Sequence, residues 1–219
     1  MDDGTYEVRR ATLNESDANR LSKWASLWAD LLHADQALSE RADLPDVLSN
    51  VFVRRALWEA AVVCYGRMAT SDKRNVDYEE LVQTARGDRG AELHKTLMVW
   101  RHDHVAHRKS RDLETVKIYA DYLDSDPDVL DSIRVRVTSS GGPPMDSHFA
   151  VEFAEHVKAL RDTIWVNYLA PIAELIATRG PRSSTVSVEP VKTHELAIEQ
   201  ILWSRTSGTG VTNGMQSTS

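Results

Sequence analysis

Apolar residues recur at helical spacing over several long stretches of the chain, and this periodicity limits its fold more than any other feature. The first stretch begins near Asn14 or Ser16, both good helix N-cap residues, and reaches about Ala42. Pro45 is expected to open a second helix, with Asp43 as its cap. That second stretch is apolar around much of its circumference, which predicts a central position among the helices.

Glycines divide the next helical region into two parts. A short helix over residues 77–85 ends before Gly87 and Gly90, and a longer helix follows over residues 88–108. This longer helix carries most of the histidines that are discussed below. We call it the motif helix.

A different period appears after the motif helix. Two runs of alternating apolar residues consist of Val116, Ile118, Ala120 and Tyr122, and of Ile133, Val135 and Val137. The turn-rich segment 124–128 separates them, so the sequence predicts a β-hairpin that lies on the helices. The alternative is that residues 121–123 belong to a short helix.

The last long helix is expected to start at Asp146 or Ser147 and to reach about Thr178. Pro171 should kink this helix or mark a joint in it. The sequence therefore predicts a mainly α fold, a helical bundle with a small β-hairpin between the motif helix and the last long helix.

Composition indicates one helical domain with flexible ends. Residues 1–13 are expected to be a flexible N-terminus and residues 14–178 the domain. Residues 179–219 are rich in Ser, Thr, Gly and Pro, which predicts a linker and a disordered tail. A short amphipathic helix over Thr193–Trp203 interrupts them, and such a tethered helix often docks on a domain or a partner.

Charge is unevenly distributed along this chain of net charge −7. Between Arg89 and Arg111 six basic residues stand against two acidic ones, so this basic window carries +4 and the rest of the chain −11. The acidic total argues against a protein that coats duplex DNA. A basic window in an acidic chain favours one site for an anionic ligand, although charges also cluster by chance at helix ends.

Cysteine usage and hydropathy indicate the cellular compartment. Cys64 is the single cysteine and lies in an apolar run, so we interpret it as a core residue of a protein in a reducing environment. No apolar run has the length of about 18 residues that a membrane span requires, and the acidic start at Met1–Gly4 does not resemble a secretion signal. The prediction is a cytoplasmic protein without a membrane partner.

The motif that carries chemistry is Arg101-His102-Asp103-His104-Val105-Ala106-His107. On a helical wheel His104 and His107 continue the apolar stripe formed by Leu93, Leu97 and Trp100. Buried histidines need partners, and a second copy of the helix would supply them at a symmetry axis. His104 and His107 make at most half a metal site, since no third ligand has the right spacing. The alternative is that these histidines are ordinary core or interface groups.

An arginine beside a histidine suits acid–base chemistry on a phosphate ester. Histidine exchanges protons near neutral pH, and an arginine holds a phosphate with two parallel hydrogen bonds. RNA brings its own nucleophile, the 2′-hydroxyl, so such a site needs neither a metal nor an activated serine. The sequence has no nucleophile elbow and no Walker loop that would indicate another mechanism.

The segment from Trp100 to Arg108 resembles the signature of the HEPN superfamily, the higher eukaryote and prokaryote nucleotide-binding domains. That signature is an arginine, a polar residue directly after it and a histidine four to six residues further on, at the end of a helix. Ala106-His107-Arg108 is similar to its usual ending in bacterial members. The helix segment from Leu57 to Met68 is similar to the helix that precedes the signature.

The resemblance implies a helical bundle that forms a homodimer through the motif helix, with an Arg and a His from each protomer in a composite site. Catalytic members are metal-independent endoribonucleases, often toxins or phage-defence effectors, and an antitoxin or another partner protein accompanies many of them. By this resemblance Arg101 would hold the phosphate, His107 would transfer the proton and His102 would support them, with His104 as the competing catalytic residue. The other cationic side chains expected to bind RNA are Lys95, Arg108, Lys109 and Arg111. No metal and no cofactor is expected. The alternative is a non-catalytic helical module that binds nucleotide, RNA or a protein through the same window.

Overall fold

The fold is mainly α with a β-hairpin between the motif helix and the last long helix, which confirms the predicted fold class. The computed structural model describes residues 10–13, 15–70, 76–106, 114–180, 184–187 and 200–205. Its α-helices are α1 (Ser16–Asp43), α2 (Val51–Thr70), α3 (Tyr78–Val99), α4 (His148–Ile164) and α5 (Ala170–Arg179). Its strands are β1 (Arg10–Leu13), β2 (Glu114–Leu123), β3 (Asp126–Ser139) and β4 (Ser184–Ser187). Among the described helices, none combines the length and the apolar character needed to cross a bilayer.

The start of the second helix differs from the prediction. Asp43 is the last residue of α1, and Pro45 lies in a non-helical linker. A proline disfavours the helical conformation for the residue before it, so the chain leaves the helical region at Leu44. A 3₁₀ turn over Leu48–Asn50 then leads into α2, which begins at Val51. The prediction that Pro45 opens this helix was therefore wrong.

The predicted break at Gly87 is confirmed. Gly87 has φ 58° and ψ −152° inside α3, a conformation that is essentially restricted to glycine. Tyr78 and His94 lie on opposite sides of this break, yet their ring centroids are 5.2 Å apart. Sixteen residues of straight helix would separate them by about 24 Å, so the two arms of α3 fold back on each other.

The contacts of the chain divide it into two units, residues 27–163 and residues 1–26 with 164–219. In the first unit the core is aromatic at its centre. Trp58 and Tyr65 of α2 both meet the Phe153 ring of α4 edge to face, each with centroids 5.5 Å apart. Aliphatic side chains of α1, α3 and α4 surround them, namely Leu31, Leu38, Leu81, Leu97, Val157 and Leu160. The prediction that the second helix is central is thus confirmed from Trp58 onwards.

A buried arginine ties α1 to the loop before α4. Arg41 is fully buried, and its guanidinium donates to the carbonyl oxygens of Arg54 at 3.0 Å and Gly141 at 2.8 Å. These bonds satisfy donors that would otherwise be costly to bury. Burial first, and then the positive charge of Arg54, lower the pKa of Arg41 to about 10, so the group stays charged at neutral pH.

The hairpin has the predicted strands but not the predicted surroundings. β2 and β3 pair antiparallel, with Val116 opposite Val137 and Ile118 opposite Val135. Residues 121–123 belong to β2, so the helical alternative was wrong. Most of the apolar side chains of the hairpin are exposed to solvent. The expectation that the hairpin lies on the helices was therefore wrong.

The second unit contains a short antiparallel pair of strands and a jointed helix. β1 pairs with β4, a pairing that the sequence pattern did not indicate. A π-helical segment, Trp165–Leu169, precedes α5, and Pro171 stands in the first turn of α5, which confirms the predicted joint. Trp24 stacks on Tyr168 with ring centroids 3.6 Å apart. The predicted division at residues 13 and 178 stays a prediction, and most of the predicted helix over 193–203 lies outside the described residues.

Gly87→Ala should destabilise the protein. A side chain at this φ and ψ is strained even though there is open space around it, and the cost is about 1–3 kcal/mol. The thermal midpoint, measured by circular dichroism, should therefore fall by several degrees. A variant as stable as the wild type would contradict the fold-back of α3 at Gly87.

Candidate functional site

The motif helix changes its winding at the start of the predicted motif. α3 ends at Val99, and residues Trp100–Ala106 continue it as a π-helix. A π-helix has more residues per turn than an α-helix. The helical wheel assumes α-helical winding, so it does not predict the direction of the side chains after Trp100. Arg101 and Asp103 are half-buried in this segment, and His102 is exposed.

Several predicted site residues lie outside the described residues. These are His107, Arg108, Lys109 and Arg111. His104 belongs to the π-helical segment, and its side chain is outside the described part as well. Of the four predicted catalytic residues the structure thus describes the side chains of Arg101 and His102, and the roles of all four stay predictions.

Trp100 anchors the π-helical segment to the core of the first unit. Its ring meets Trp58 of α2 edge to face at 5.5 Å between centroids. It also stacks on Phe149 of α4 at 5.8 Å, with 27° between the ring planes. Aromatic contacts of this kind on two helices fix the position of the residue that follows, Arg101.

The side chain of Arg101 lies against Gly66 of α2. A Cβ atom built on Gly66 would come within 3.0 Å of both Cδ and Nε of Arg101, closer than real Cβ atoms approach. Only a glycine leaves room for the arginine in this position. Gly66 therefore determines where the guanidinium is held, a role that the sequence analysis did not assign to it.

A buried network of hydrogen bonds lies one residue away, at Tyr65. Its hydroxyl is 2.6 Å from Nδ1 of His94 and 3.0 Å from Nε2 of His156. His156 is fully buried, and its Nδ1 has no hydrogen-bond partner in the described part. Burial lowers the pKa of His94 and, together with the charges of Arg86 and then His94, lowers that of His156 to about 4.

Both histidines are therefore neutral at pH 7, and their tautomers follow from the bonding pattern. An unpaired buried donor costs more than an unpaired acceptor lone pair, so His156 carries its proton on Nε2 and donates to Tyr65. Tyr65 then donates to Nδ1 of His94, which leaves the His94 proton on Nε2. Sequence spacing contained a signal for the burial of His156 but not for its partners, since it lies three residues after Phe153 and four before Leu160 on one helix face.

His94 also lines a cleft between the two arms of α3. The cleft has a volume of about 880 Å³ and is bordered by Tyr78, Met98 and Lys95, with carboxylates of the first arm at its rim. Lys95 was predicted to bind RNA, but its ammonium lies 2.8 Å from the carboxylate of Glu92. Arg89, another residue of the basic window, pairs with Glu152. These pairs leave less free positive charge on the window than the sequence count indicates.

Among the described residues, no three His, Cys, Asp or Glu side chains converge as ligands of a metal ion. Cys64 is half-buried and accepts a hydrogen bond from Arg67 at 3.0 Å, and burial raises the pKa of its thiol. A thiol of raised pKa is a poor nucleophile at neutral pH. The described chemistry of the site is therefore that of arginine, histidine and tyrosine.

No family model, no curated protein and no solved structure matches this chain.

The burial of His156 predicts a loss of stability in mild acid. The native group binds a proton only near pH 4, whereas the unfolded group binds one near its ordinary pKa of 6.5. Stability is thus fully present above pH 6.5 and is lost as the pH falls towards 4, by up to about 3 kcal/mol.

Urea denaturation at pH 4.5 and 7 measures this difference. His156→Gln removes the group, so the pH dependence should become shallower, and His33→Gln, at an exposed histidine of α1, is the control. Equal slopes for the wild type and His156→Gln would contradict the assignment of His156 as a buried neutral group.

Proposed function

We propose that this protein is a metal-independent endoribonuclease of the HEPN type, which acts as a dimer with an Arg and a His from each protomer. The observation that carries the proposal is the placement of Arg101 on Gly66, directly after the anchored Trp100. An arginine held in one position is pre-organised to bind a phosphate through both of its terminal nitrogens. The histidines of the motif follow it within the next six residues.

The π-helical winding of Trp100–Ala106 also supports the proposal. Single π-turns inside α-helices occur frequently at functional sites, because they cost stability that packing alone does not return. Here the π-turns coincide with the segment that resembles the HEPN signature. The π-helical segment thus covers seven of the nine residues of the resembling segment.

In the proposed reaction Arg101 binds the scissile phosphate of an RNA and neutralises the charge that grows on it. A neutral histidine, His107 or its competitor His104, takes the proton from the 2′-hydroxyl. The 2′-oxygen then attacks phosphorus, and the bond to the 5′-oxygen breaks. A protonated histidine of the second protomer gives a proton to that leaving oxygen. The products carry a 2′,3′-cyclic phosphate and a free 5′-hydroxyl.

A second candidate is a non-catalytic module that binds nucleotide, RNA or a protein partner. The pairs Lys95–Glu92 and Arg89–Glu152 favour a protein partner within this alternative, because a protein that binds RNA along the helix, whether or not it cleaves it, would use those cations. His107→Asn separates the two functions. A binder would tolerate this substitution and keep its affinity for RNA, whereas a nuclease would keep its affinity and lose cleavage.

His107→Ala should reduce RNA cleavage by about 100- to 10,000-fold, because it removes the group that transfers the proton. Arg101→Lys should also be inactive, since a point charge does not replace the bidentate contact. Cleavage of a labelled RNA by the wild type should survive EDTA, and DNA of the same sequence should stay intact because it lacks the nucleophile. His33→Ala is the matched surface control and should keep full activity. Cleavage of DNA, or a requirement for a divalent ion, would refute the mechanism.

The same substitutions should show in cells whether the chain is a toxin. Expression of the wild type should arrest growth, and His107→Ala and Arg101→Lys should not. Equal toxicity of all three would assign any growth arrest to something other than the proposed chemistry.

Gly66→Ala should lower cleavage while leaving the fold intact. The new methyl group displaces the middle of the Arg101 side chain, which is flexible enough to move, and alanine favours a helix over glycine by up to about 1 kcal/mol. Stability should thus change little while the phosphate contact is lost. The double variant Gly66→Ala with Arg101→Ala should cleave no more slowly than Arg101→Ala alone. An additive loss in the double variant would show that Gly66 does not act through Arg101.

A further inference from the structure

Between Val116 and Tyr122 of β2, one face of the β2–β3 hairpin is apolar. Its side chains form four cross-strand pairs, which are Val116–Val137, Ile118–Val135, Ala120–Ile133 and Tyr122–Leu130. We call this set the ribbon face. Because side chains alternate between the two sides of a strand, the four residues of β2 share one side with Ile133, Val135 and Val137 of β3. A register shift between Asp121 and Tyr122 brings Leu130 opposite Tyr122.

The ribbon face is uncovered to an unusual degree. All eight residues are exposed, and the seven largest of them expose between 48% and 68% of their surface. Together they present on the order of 700 Å² to water, more than the roughly 300–600 Å² of the largest apolar patch on a typical monomer. A two-stranded ribbon without a cover is also only marginally stable in water. Both facts indicate that another surface covers this face in solution.

The opposite face of the hairpin is built to stay in water. The guanidinium of Arg134 pairs with Asp121, with 2.5 Å between Nε and Oδ2, and the Arg136 guanidinium lies over the Tyr119 ring at 4.9 Å. These residues and Lys117 alternate with those of the ribbon face along the strands. The hairpin therefore has one face for solvent and one for a partner.

We propose that the ribbon face is an interface between two copies of this chain, packed face to face as two layers of sheet. Each copy offers an area close to the roughly 800 Å² that one partner contributes to a standard protein interface. A two-fold axis between the Ile118–Val135 and Ala120–Ile133 pairs sets the small Ala120 of one copy opposite Ile118 of the other. Large side chains then fill the space above small ones at the usual sheet separation of about 10 Å. The proposal does not depend on nuclease activity.

The charges around the hairpin disfavour an anionic lipid surface or a nucleic acid as the occupant. Four carboxylates surround the turn that joins the strands, at Asp124, Asp126, Asp128 and Asp131, besides Asp121, which Arg134 neutralises. A phosphate-bearing surface that reached the ribbon face would meet these groups at its rim, and like charges would repel it. A second copy packed antiparallel keeps the two acidic turns apart, at opposite ends of the interface.

The test is the mass of the full chain in solution, measured by analytical ultracentrifugation at about 50 μM. The wild type should sediment at twice the chain mass of 24.6 kDa or more. Val137→Glu places a charge in the ribbon face and should lower that mass, to the chain mass if the ribbon face is the sole interface and to twice the chain mass if the motif helix also joins two chains. Thr138→Glu is the matched control, because the exposed neighbour carries the same new charge to the opposite face and should leave the mass unchanged.

A charge-pairing experiment adds a positive readout. Val135 lies near the proposed axis, so Val135→Glu and Val135→Lys should each dissociate alone and should associate when they are mixed. Circular dichroism checks that each variant is folded. A monomeric wild type, a mass that Val137→Glu does not change, or a mixture that stays dissociated would overturn the proposal. Binding of the wild type to phosphatidylcholine vesicles, lost in Val137→Glu, would overturn it by assigning the face to a bilayer.

Discussion

The packing around Trp58 is the constraint on which the first unit depends. Its ring contacts Trp100 at the start of the motif and Phe149 and Phe153 on α4. The guanidinium of Arg41, at the end of α1, lies over the same ring at 5.2 Å. One side chain thus joins three helices and the candidate site. A substitution of Trp58 would therefore disturb the packing of all of them. Arg41 extends the junction to the loop before α4 through its bonds to carbonyl oxygens.

The candidate site inherits its geometry from this junction. α2 carries Trp58 in its middle and Gly66 two turns later, so the helix that is fixed in the core also supplies the surface on which Arg101 rests. The site is therefore held by packing at both ends of the contact, Trp100 on one side and α2 on the other. Tyr65, beside Gly66, fixes the second arm of α3 through His94. Core residues thus place Arg101 from both sides.

Periodicity and helix breakers were enough to predict most of the fold. The 3.6-residue pattern gave the long helices, the alternating pattern gave β2 and β3, and Gly87 and Pro171 marked the break and the joint where the structure has them. These signals are local, so the sequence contains them in full. The start of α2 was predicted wrongly because a proline suits the first turn of a helix and also an extended linker, and the residue pattern alone does not decide between them.

The parts of the site that were not predicted depend on contacts between distant residues. Gly66 is one glycine in a helix until Arg101, 35 positions later, is placed on it. The Tyr65–His94–His156 network joins three helices, and no spacing within one helix reveals it. The change to π-helical winding at Trp100 means that the side chains of this segment do not point where an α-helical wheel predicts. A pattern argument fails at these points because the determining contact is not local.

The ribbon face depends on both a local residue pattern and contacts that are not local. Alternation in β2 and β3 showed that one face of the hairpin is apolar, and apolar faces in soluble proteins are normally covered. The expected cover was the helical core of the same chain, but in the first unit the side chains of α1 to α4 already fill that core with one another. The base of the hairpin is tied to α2 by a bond of 2.6 Å from Arg55 to Ser139, which positions the ribbon without covering its face. The alternation in β2 and β3 is typical of a buried face, yet the core of the same unit does not cover this face. This is the physical reason to expect that another molecule covers it.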